Sequence, residues 1–379
     1  MSSPLLWLFV LVLVLAGYIL IGWPLLLALL ARFRARPIEK QFVPRTVTGV
    51  IAVHNGAGFL RAKLDSLYAL DYPQELLDVI VVSDGSTDET DAIVTADKRA
   101  QLVRVPRGGK CLALNAGAVQ ATGEILFLTD VRQTLDPQCL RYLVACFADS
   151  TVGVVSGDLK IRAGDSVSAG DVSLYRRFET WIRDRLSQVD SMFGATGSIY
   201  TIRRELFVPM PENILLDDMF LPLSAFFKGY RLVMEDSAVA WDVPTSVEAE
   251  FGRKVRTLAG NYQLLQHYPE LILPMRNRMW LHFMSYKMGR LILPWLLAIV
   301  LVLSFFLPEP WMAAALTLQG LFYGLVVLDP ALMRGNPLKK ISSPARTFTV
   351  MMLAAACAVR IFWTDPRKLW VVTLANKKA

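Results

Sequence analysis

Val79–Glu89 reads VIVVSDGSTDE. Four consecutive β-branched residues, Val79, Ile80, Val81 and Val82, run directly into Ser83-Asp84-Gly85-Ser86. An unbroken β-branched run is the pattern of a strand buried on both faces, as in a parallel sheet. Open sheets of that kind bind ligands beyond the carboxyl ends of their strands, so the Asp84 carboxylate is expected at a binding edge.

Outward from this stretch, strands and helices alternate. Strands are predicted over Thr46–Val53, Leu77–Ser83, Leu102–Val105, Glu124–Thr129, Val152–Ser156, Ser198–Ile202 and Tyr230–Met234. Helical apolar spacing marks Phe59–Leu70, Thr87–Lys98, Lys110–Gln120 and Val172–Val189. Turn signals at His54-Asn55-Gly56 and Asp71-Tyr72-Pro73 separate the elements. The alternation implies an α/β domain with a mainly parallel sheet.

The hydrophobic fraction of 54% exceeds what a soluble enzyme of 379 residues uses. Leu5–Ala31 is long and apolar enough to cross a bilayer, as are the runs Leu291–Leu307 and Trp311–Met333. A run near Phe348–Phe362 either crosses or is re-entrant. The net charge of +7 is concentrated beside these runs: Arg32, Arg34, Arg36 and Lys40 follow the first, and Arg276, Arg278, Lys287 and Arg290 precede the second. That placement points to a membrane surface with the α/β domain on the cytoplasmic side of the cell (inner) membrane, and it argues against nucleic acid. The resulting organisation is an anchor over 1–31, the α/β domain over 45–245, basic amphipathic helices over 246–290, membrane helices over 291–363 and a basic tail over 364–379. Cys111, Cys139, Cys146 and Cys357 form no CxxC pair and are expected as free thiols.

Eight segments in order, AVHNG, LDYP, VVSDGSTDET, GGKCLALNAG, FLTDVRQ, GATGSIYTIRREL, LLDDMFL and RKVRTLAGNYQ, resemble the motifs of membrane-bound family 2 glycosyltransferases. That group has a GT-A nucleotide-sugar-binding fold and includes the cellulose, chitin and hyaluronan synthases and the ceramide glucosyltransferases. The resemblance covers about Thr46 to Gln263. It implies that Asp84 contacts the uracil or ribose of a UDP-sugar and that Asn55 is a second nucleotide contact. Lys110, behind Gly108-Gly109, would meet the diphosphate at a helix start.

Asp130 matches the first acid of the family's DxD, which implies a divalent ion, Mg or Mn. The second acid is replaced by Arg132, whose fork of donors suits the diphosphate itself. Asp217-Asp218 resembles the acidic pair that supplies the base, with Asp218 at the base position. Arg253 and Arg256 match the arginines of the Q/RxxRW segment and would neutralise the leaving group. Thr257 replaces its tryptophan, which argues against a processive synthase with its own channel. Gly194, Thr196 and Gly197 belong to the acceptor-side loop. Trp181, on the helix before it, faces the acceptor or the membrane, or the helix is a simple amphipathic packing element.

The reading is therefore an inverting glycosyltransferase that moves a sugar from a nucleotide-sugar donor to a lipid-linked or glycan acceptor in exopolysaccharide or envelope assembly. Its further partners would be polysaccharide-assembly proteins. A processive synthase and an inactive assembly or transport subunit stay open as alternatives.

Overall fold

The computed structural model describes residues 4–161, 169–243, 247–333 and 335–369. They divide into two compact units. One gathers residues from 30–161 and 179–243 around a sheet, and the other gathers 4–29, 169–178 and 250–369. The expected tail residues Arg367 and Lys368 fall in a short helical turn, Pro366–Leu369, and Lys377 and Lys378 lie outside the described residues.

The first unit holds an eight-stranded sheet of β1 (Val47–Val53), β2 (Leu77–Asp84), β3 (Gln101–Val105), β4 (Ile125–Leu128), β5 (Thr134–Leu135), β6 (Val152–Ile161), β7 (Tyr200–Arg203) and β8 (Arg231–Asp242). Their spatial order is β3-β2-β1-β4-β7-β6-β8-β5. β1 pairs in parallel with β2 and β4, β2 with β3, and β6 with β8; β5 and β7 run against their neighbours. This is the mixed, mostly parallel sheet of the GT-A fold. The expected strands are all present. β6 and β8 extend well past their predicted ends, and β5 had no signal because a two-residue strand has no readable period.

The chain moves from β1 through β2 to β3 on one side, then returns to place β4 on the other side of β1. That reversal is a topological switch point, where the loops after β1 and β4 diverge and leave a crevice. Asn55 follows β1 and Asp130 follows β4, so both stand at its mouth. β7 is antiparallel to β4, with Tyr200 paired to Leu128, so the chain entering β7 reaches the same edge.

The helix Ala57–Tyr68 buries Leu60, Leu64 and Leu67 against a core that includes Val47, Ile51, Val79, Phe127, Leu140 and Leu143. The helix Lys110–Gln120, predicted to the residue, lies on the sheet through Gly117. A Cβ there would come within 2.5 Å of Val50 Cγ1 and 2.9 Å of Val82 Cγ2. In the helix Ala169–Val189, Ile182 and Leu186 are buried as the amphipathic pattern predicts. Arg36 and Lys40, expected at a membrane surface, also pair with Asp190 and Glu235 of the α/β unit, each at 2.7 Å. Sequence pattern alone could not show these buried acids within their reach.

In the second unit, the helices Pro4–Phe33, Trp280–Ser304, Trp311–Ala331 and Lys339–Phe362 are each long and apolar enough to cross a membrane. The aromatic-rich segment Trp280–Tyr286, within the stretch expected as basic amphipathic helices, is the start of the second of these helices. The ambiguous last run is likewise part of a 24-residue helix. Val12 and Ala16 pack with Leu293, Leu296 and Val300. Asp329, buried, accepts hydrogen bonds from Ser342 and Ser343 and pairs with Lys339 and Arg346 at 3.3 Å each.

Gly117→Ala tests the helix–sheet contact that carries Lys110. An alanine in a helix ordinarily stabilises by about 1 kcal/mol over glycine, whereas overpacking a filled interface costs about 1–3 kcal/mol. With 2.5 Å available, the second term wins. The expected result is a lower thermal midpoint for the purified full-length variant in detergent, and an unchanged or higher midpoint would refute the contact.

Candidate active site

The centre of the site is one ammonium group. Lys110, the first residue of its helix, places Nζ 2.9 Å from Asp130 Oδ1 and 2.8 Å from Asp217 Oδ2. Burial lowers the lysine's proton affinity, but the fields of Asp130 and Asp217, with Asp218 behind them, outweigh it and hold the pKa well above the ordinary value. Three segments far apart in sequence therefore meet at one charge. Asp130 comes from the end of β4, Lys110 from the turn after β3, and Asp217 from the first turn of the helix Asp217–Phe227, where the helix dipole favours an acid. Asp217 is nearly buried, whereas Asp130 keeps 37% of its side chain exposed.

Asp84, expected to contact the nucleotide, stands one step behind this centre with partners of its own in the protein. Its side chain is 3% exposed. It accepts hydrogen bonds from Gly108 N at 2.7 Å and Gly109 N at 3.0 Å, and it pairs with the Arg107 guanidinium. The amides ahead of a helix are unsatisfied donors, and a strand-end carboxylate facing them is their natural acceptor. Gly109, at φ +94°, takes a backbone conformation that aims both amides the same way. In this structure the amides expected at the phosphate are therefore held by Asp84, which fixes the turn from which Lys110 projects.

Asn55 also ties loops together. Held at φ +51°, it accepts from Thr87 N at 2.8 Å through Oδ1, and its own amide donates to Ser86 Oγ at 3.1 Å. His54 Nδ1 lies 2.8 Å from the carbonyl oxygen of Asp84. These contacts join the ends of β1 and β2 at the crevice.

Arg132 is not turned toward the Lys110 centre. Its guanidinium pairs with Asp242 at 2.5 Å, and Gln133 Nε2 donates to the same carboxylate oxygen at 3.0 Å. Asp242, 7% exposed, ends β8, and Trp241 pairs with Thr134 across the β5–β8 ladder. A buried acid exerts a stronger pull on the arginine than solvent does. Arg132, expected at the diphosphate, is held by this pair at the end of the loop after β4.

Asp218 lies against the GATG loop. Its backbone oxygen accepts from Ala195 N at 2.7 Å. A Cβ on Gly197 would stand 3.1 Å from Asp218 Oδ2, and one on Gly194 would meet Met219 Cγ at 2.4 Å, so the loop approaches this close only as glycine. Arg183 holds the loop from the other side, donating to Thr196 Oγ1 at 2.7 Å and Ser156 Oγ at 2.8 Å; Ser156 Oγ in turn accepts from Thr196 N at 2.8 Å. Trp181, two residues before Arg183, has the Arg185 guanidinium 5.9 Å from its ring centroid. Arg253 and Arg256 lie on the helix Val247–His267.

Two functional candidates escaped the sequence reading. Tyr200 is fully buried, and its phenol is raised well above the ordinary range by burial and then by Asp217. Lys63 is fully buried beneath β4. The signal for Lys63 was present: it occupies an apolar position of the stripe Leu60-Lys63-Leu64-Leu67.

Among the described residues no group of three His, Cys, Asp or Glu side chains gathers as a metal cage. The donor set nonetheless suits an ion held largely by substrate. Asp130 and Asp217 already share one cation, the Lys110 ammonium, and magnesium sites commonly use one or two carboxylates with phosphates and water.

Residues 48–208 match the family described as Glycosyl transferase family 2. The chain is 24% identical over 61% of its length to the Bacillus subtilis (strain 168) protein named probable glycosyltransferase YdaM, covering 59% of that protein. It is 24% identical over 86% of its length to the beta-monoglucosyldiacylglycerol synthase of Synechocystis, covering 74% of it. The chain spans 55–59% of the length of the first curated relatives it matches. Among solved structures, the Pyrobaculum calidifontis mannosyltransferase PcManGT, in complex with GDP-Man and Mn2+, superposes with a TM-score of 0.72 at 24% identity, over 94% of this chain and 99% of that one.

Lys63 yields a pH prediction. Burial lowers its pKa to about 7, against the opposing pull of Cys139 and Asp130. Between pH 7 and the unfolded-state value near 10.5 the unfolded chain binds the extra proton, so stability rises with pH through that window. Below pH 7 both states are protonated and the full burial cost is present. The thermal midpoint of Lys63→Met relative to wild type is therefore expected to be most favourable at pH 6 and to lose that advantage toward pH 10. A pH-independent difference would refute the assignment.

Proposed function

Since residues 48–208 are a Glycosyl transferase family 2 domain within a GT-A fold, we propose that this chain is an inverting membrane glycosyltransferase. It moves one sugar from a nucleotide-diphosphate donor, UDP-linked, to a hydroxyl of a lipid-linked or polysaccharide acceptor in envelope or exopolysaccharide assembly. The observation that carries the reading is the convergence of Asp130, Asp217 and Asp218 about Lys110 at the switch point of the sheet. The relatives' names support the acceptor classes: one is a glycolipid synthase and others are synthases of poly-beta-1,6-N-acetyl-D-glucosamine. The four long apolar helices and the basic residues beside them support a membrane protein whose α/β unit faces the cytoplasm.

The chemistry is a single displacement. Asp218, beside the glycine loop, accepts the proton of the acceptor hydroxyl as that oxygen bonds to the anomeric carbon. The carbon–oxygen bond to the diphosphate breaks with its electron pair leaving on the phosphate oxygen. Lys110 supplies positive charge at the place where that negative charge develops. Asp217, committed to Lys110, orients the ammonium and takes no proton. Gly194, Thr196 and Gly197 shape the acceptor side around Asp218. A divalent ion, when bound, would be held by Asp130 together with the donor phosphates and would further neutralise the leaving diphosphate. PcManGT, a solved structure of similar fold, is in complex with Mn2+ and GDP-Man.

The test is release of nucleotide diphosphate by purified protein across a panel of UDP- and GDP-sugars with Mg2+ or Mn2+, with Asp218→Asn as the paired variant. Removing a general base costs about 10²–10⁴ in rate, so the variant is expected to bind donor normally and to turn over at least a hundredfold more slowly. Equal, negligible release by wild type and variant on every donor would reject the enzyme reading in favour of an inactive assembly subunit.

A further inference from the structure

Lys63 contributes nothing obvious to the fold, yet its contacts reach both sides of the candidate site. Its side chain is fully buried within the apolar stripe of the helix Ala57–Tyr68. Nζ donates to Thr129 Oγ1 at 2.6 Å and to the carbonyl oxygen of Gln133 at 2.9 Å. Those acceptors bracket Asp130 and Arg132, so one ammonium closes the loop after β4 from below. Thr129 passes the contact onward: its hydroxyl proton goes to the carbonyl oxygen of Ser198 at 2.7 Å. Ser198 follows directly on Gly194–Gly197, the loop that packs against Asp218. Gln133, the other end of the bracket, also donates to Asp242, which holds Arg132.

Energetics make this arrangement informative. Among the described residues no carboxylate lies within ion-pair distance of Lys63, so the direct partners of the buried ammonium are two neutral acceptors. Burying a charge without a counter-charge is expensive, and replacing such a group by an apolar side chain of similar volume is often neutral or stabilising. A methionine would fill the same space among Leu60, Leu64 and Leu67 without that cost. The lysine therefore lowers the stability of the domain at the point where the donor-side and acceptor-side loops meet. Proteins accept such a cost chiefly at functional sites.

We infer that Lys63 is a positioning residue for donor binding: through Thr129 and Gln133 it sets the loop that presents Asp130, and through Thr129 and Ser198 it keys that loop to the one beside Asp218. The inference rests on the proposed glycosyltransferase reading. It adds to that reading a residue that touches neither donor nor acceptor.

The experiment uses the purified full chain in detergent and measures three quantities for wild type, Lys63→Met and Thr129→Val. These are the thermal midpoint, the Kd of UDP and of GDP in the presence of Mg2+ by calorimetry, and the separate kcat and KM for whichever donor supports turnover. Thr129→Val keeps the volume, removes the relay hydroxyl and leaves the lysine in place, so it stands in if Lys63→Met fails to fold. The expected result for Lys63→Met is a thermal midpoint equal to or above wild type with nucleotide Kd and donor KM raised at least tenfold. Thr129→Val should shift Kd and KM in the same direction. A residue that served only the core would behave in the opposite way, with a lower midpoint and Kd and KM within twofold of wild type for both variants; that result overturns the inference while leaving the enzyme reading intact. Failure of the wild type itself to bind either nucleotide rejects the enzyme reading and this inference with it.

Discussion

The ammonium of Lys110, shared by Asp130 and Asp217, is the constraint on which the rest of the site depends. Two carboxylates brought to one point by separate segments repel each other, and at partly buried positions that repulsion amounts to several kcal/mol. A single cation between them turns repulsion into cohesion. The loop after β4 and the start of the helix Asp217–Phe227 can then approach without water separating them. Once the two acids are held, Asp218, next in the chain, stands beside the glycine loop with one face of its environment already built.

Around that centre, polar side chains hold backbone in place. Asp84 accepts the amides of Gly108 and Gly109, Asn55 joins the loops after β1 and β2, and Arg132 joins the loop after β4 to the end of β8. Arg183 and Ser156 do the same for Thr196. The logic is preorganisation: a group that must meet developing charge is effective only if its position is set before the reaction. At a switch point the strand ends diverge, so no hydrogen-bonded ladder sets those loops, and side chains have to supply the connections.

The helical unit uses the same device in an apolar setting. Asp329 collects Lys339, Arg346 and two serine hydroxyls, which satisfies a carboxylate that burial would otherwise penalise. That hub ties the helix Trp311–Ala331 to the helix Lys339–Phe362. Polar groups with several partners each thus fix geometry in both units, while apolar burial supplies bulk cohesion.

The parallel strands were legible because burial on both faces forces unbroken apolar runs such as Val79–Val82, and the helix Lys110–Gln120 because glycine punctuates its start. The long apolar helices were legible from length and composition alone. The acids Asp130, Asp217 and Asp218 could be named in advance because each sits at an element boundary within a recognisable motif. What each carboxylate does was decided only by folding. Asp84 became an internal anchor, Arg132 was captured by Asp242 over a separation of 110 residues, and Lys63 acquired its contacts by lying under β4. Local pattern records which residues are apolar, charged or able to turn the chain. Which donor meets which acceptor depends on distances between segments that come together only when the sheet closes.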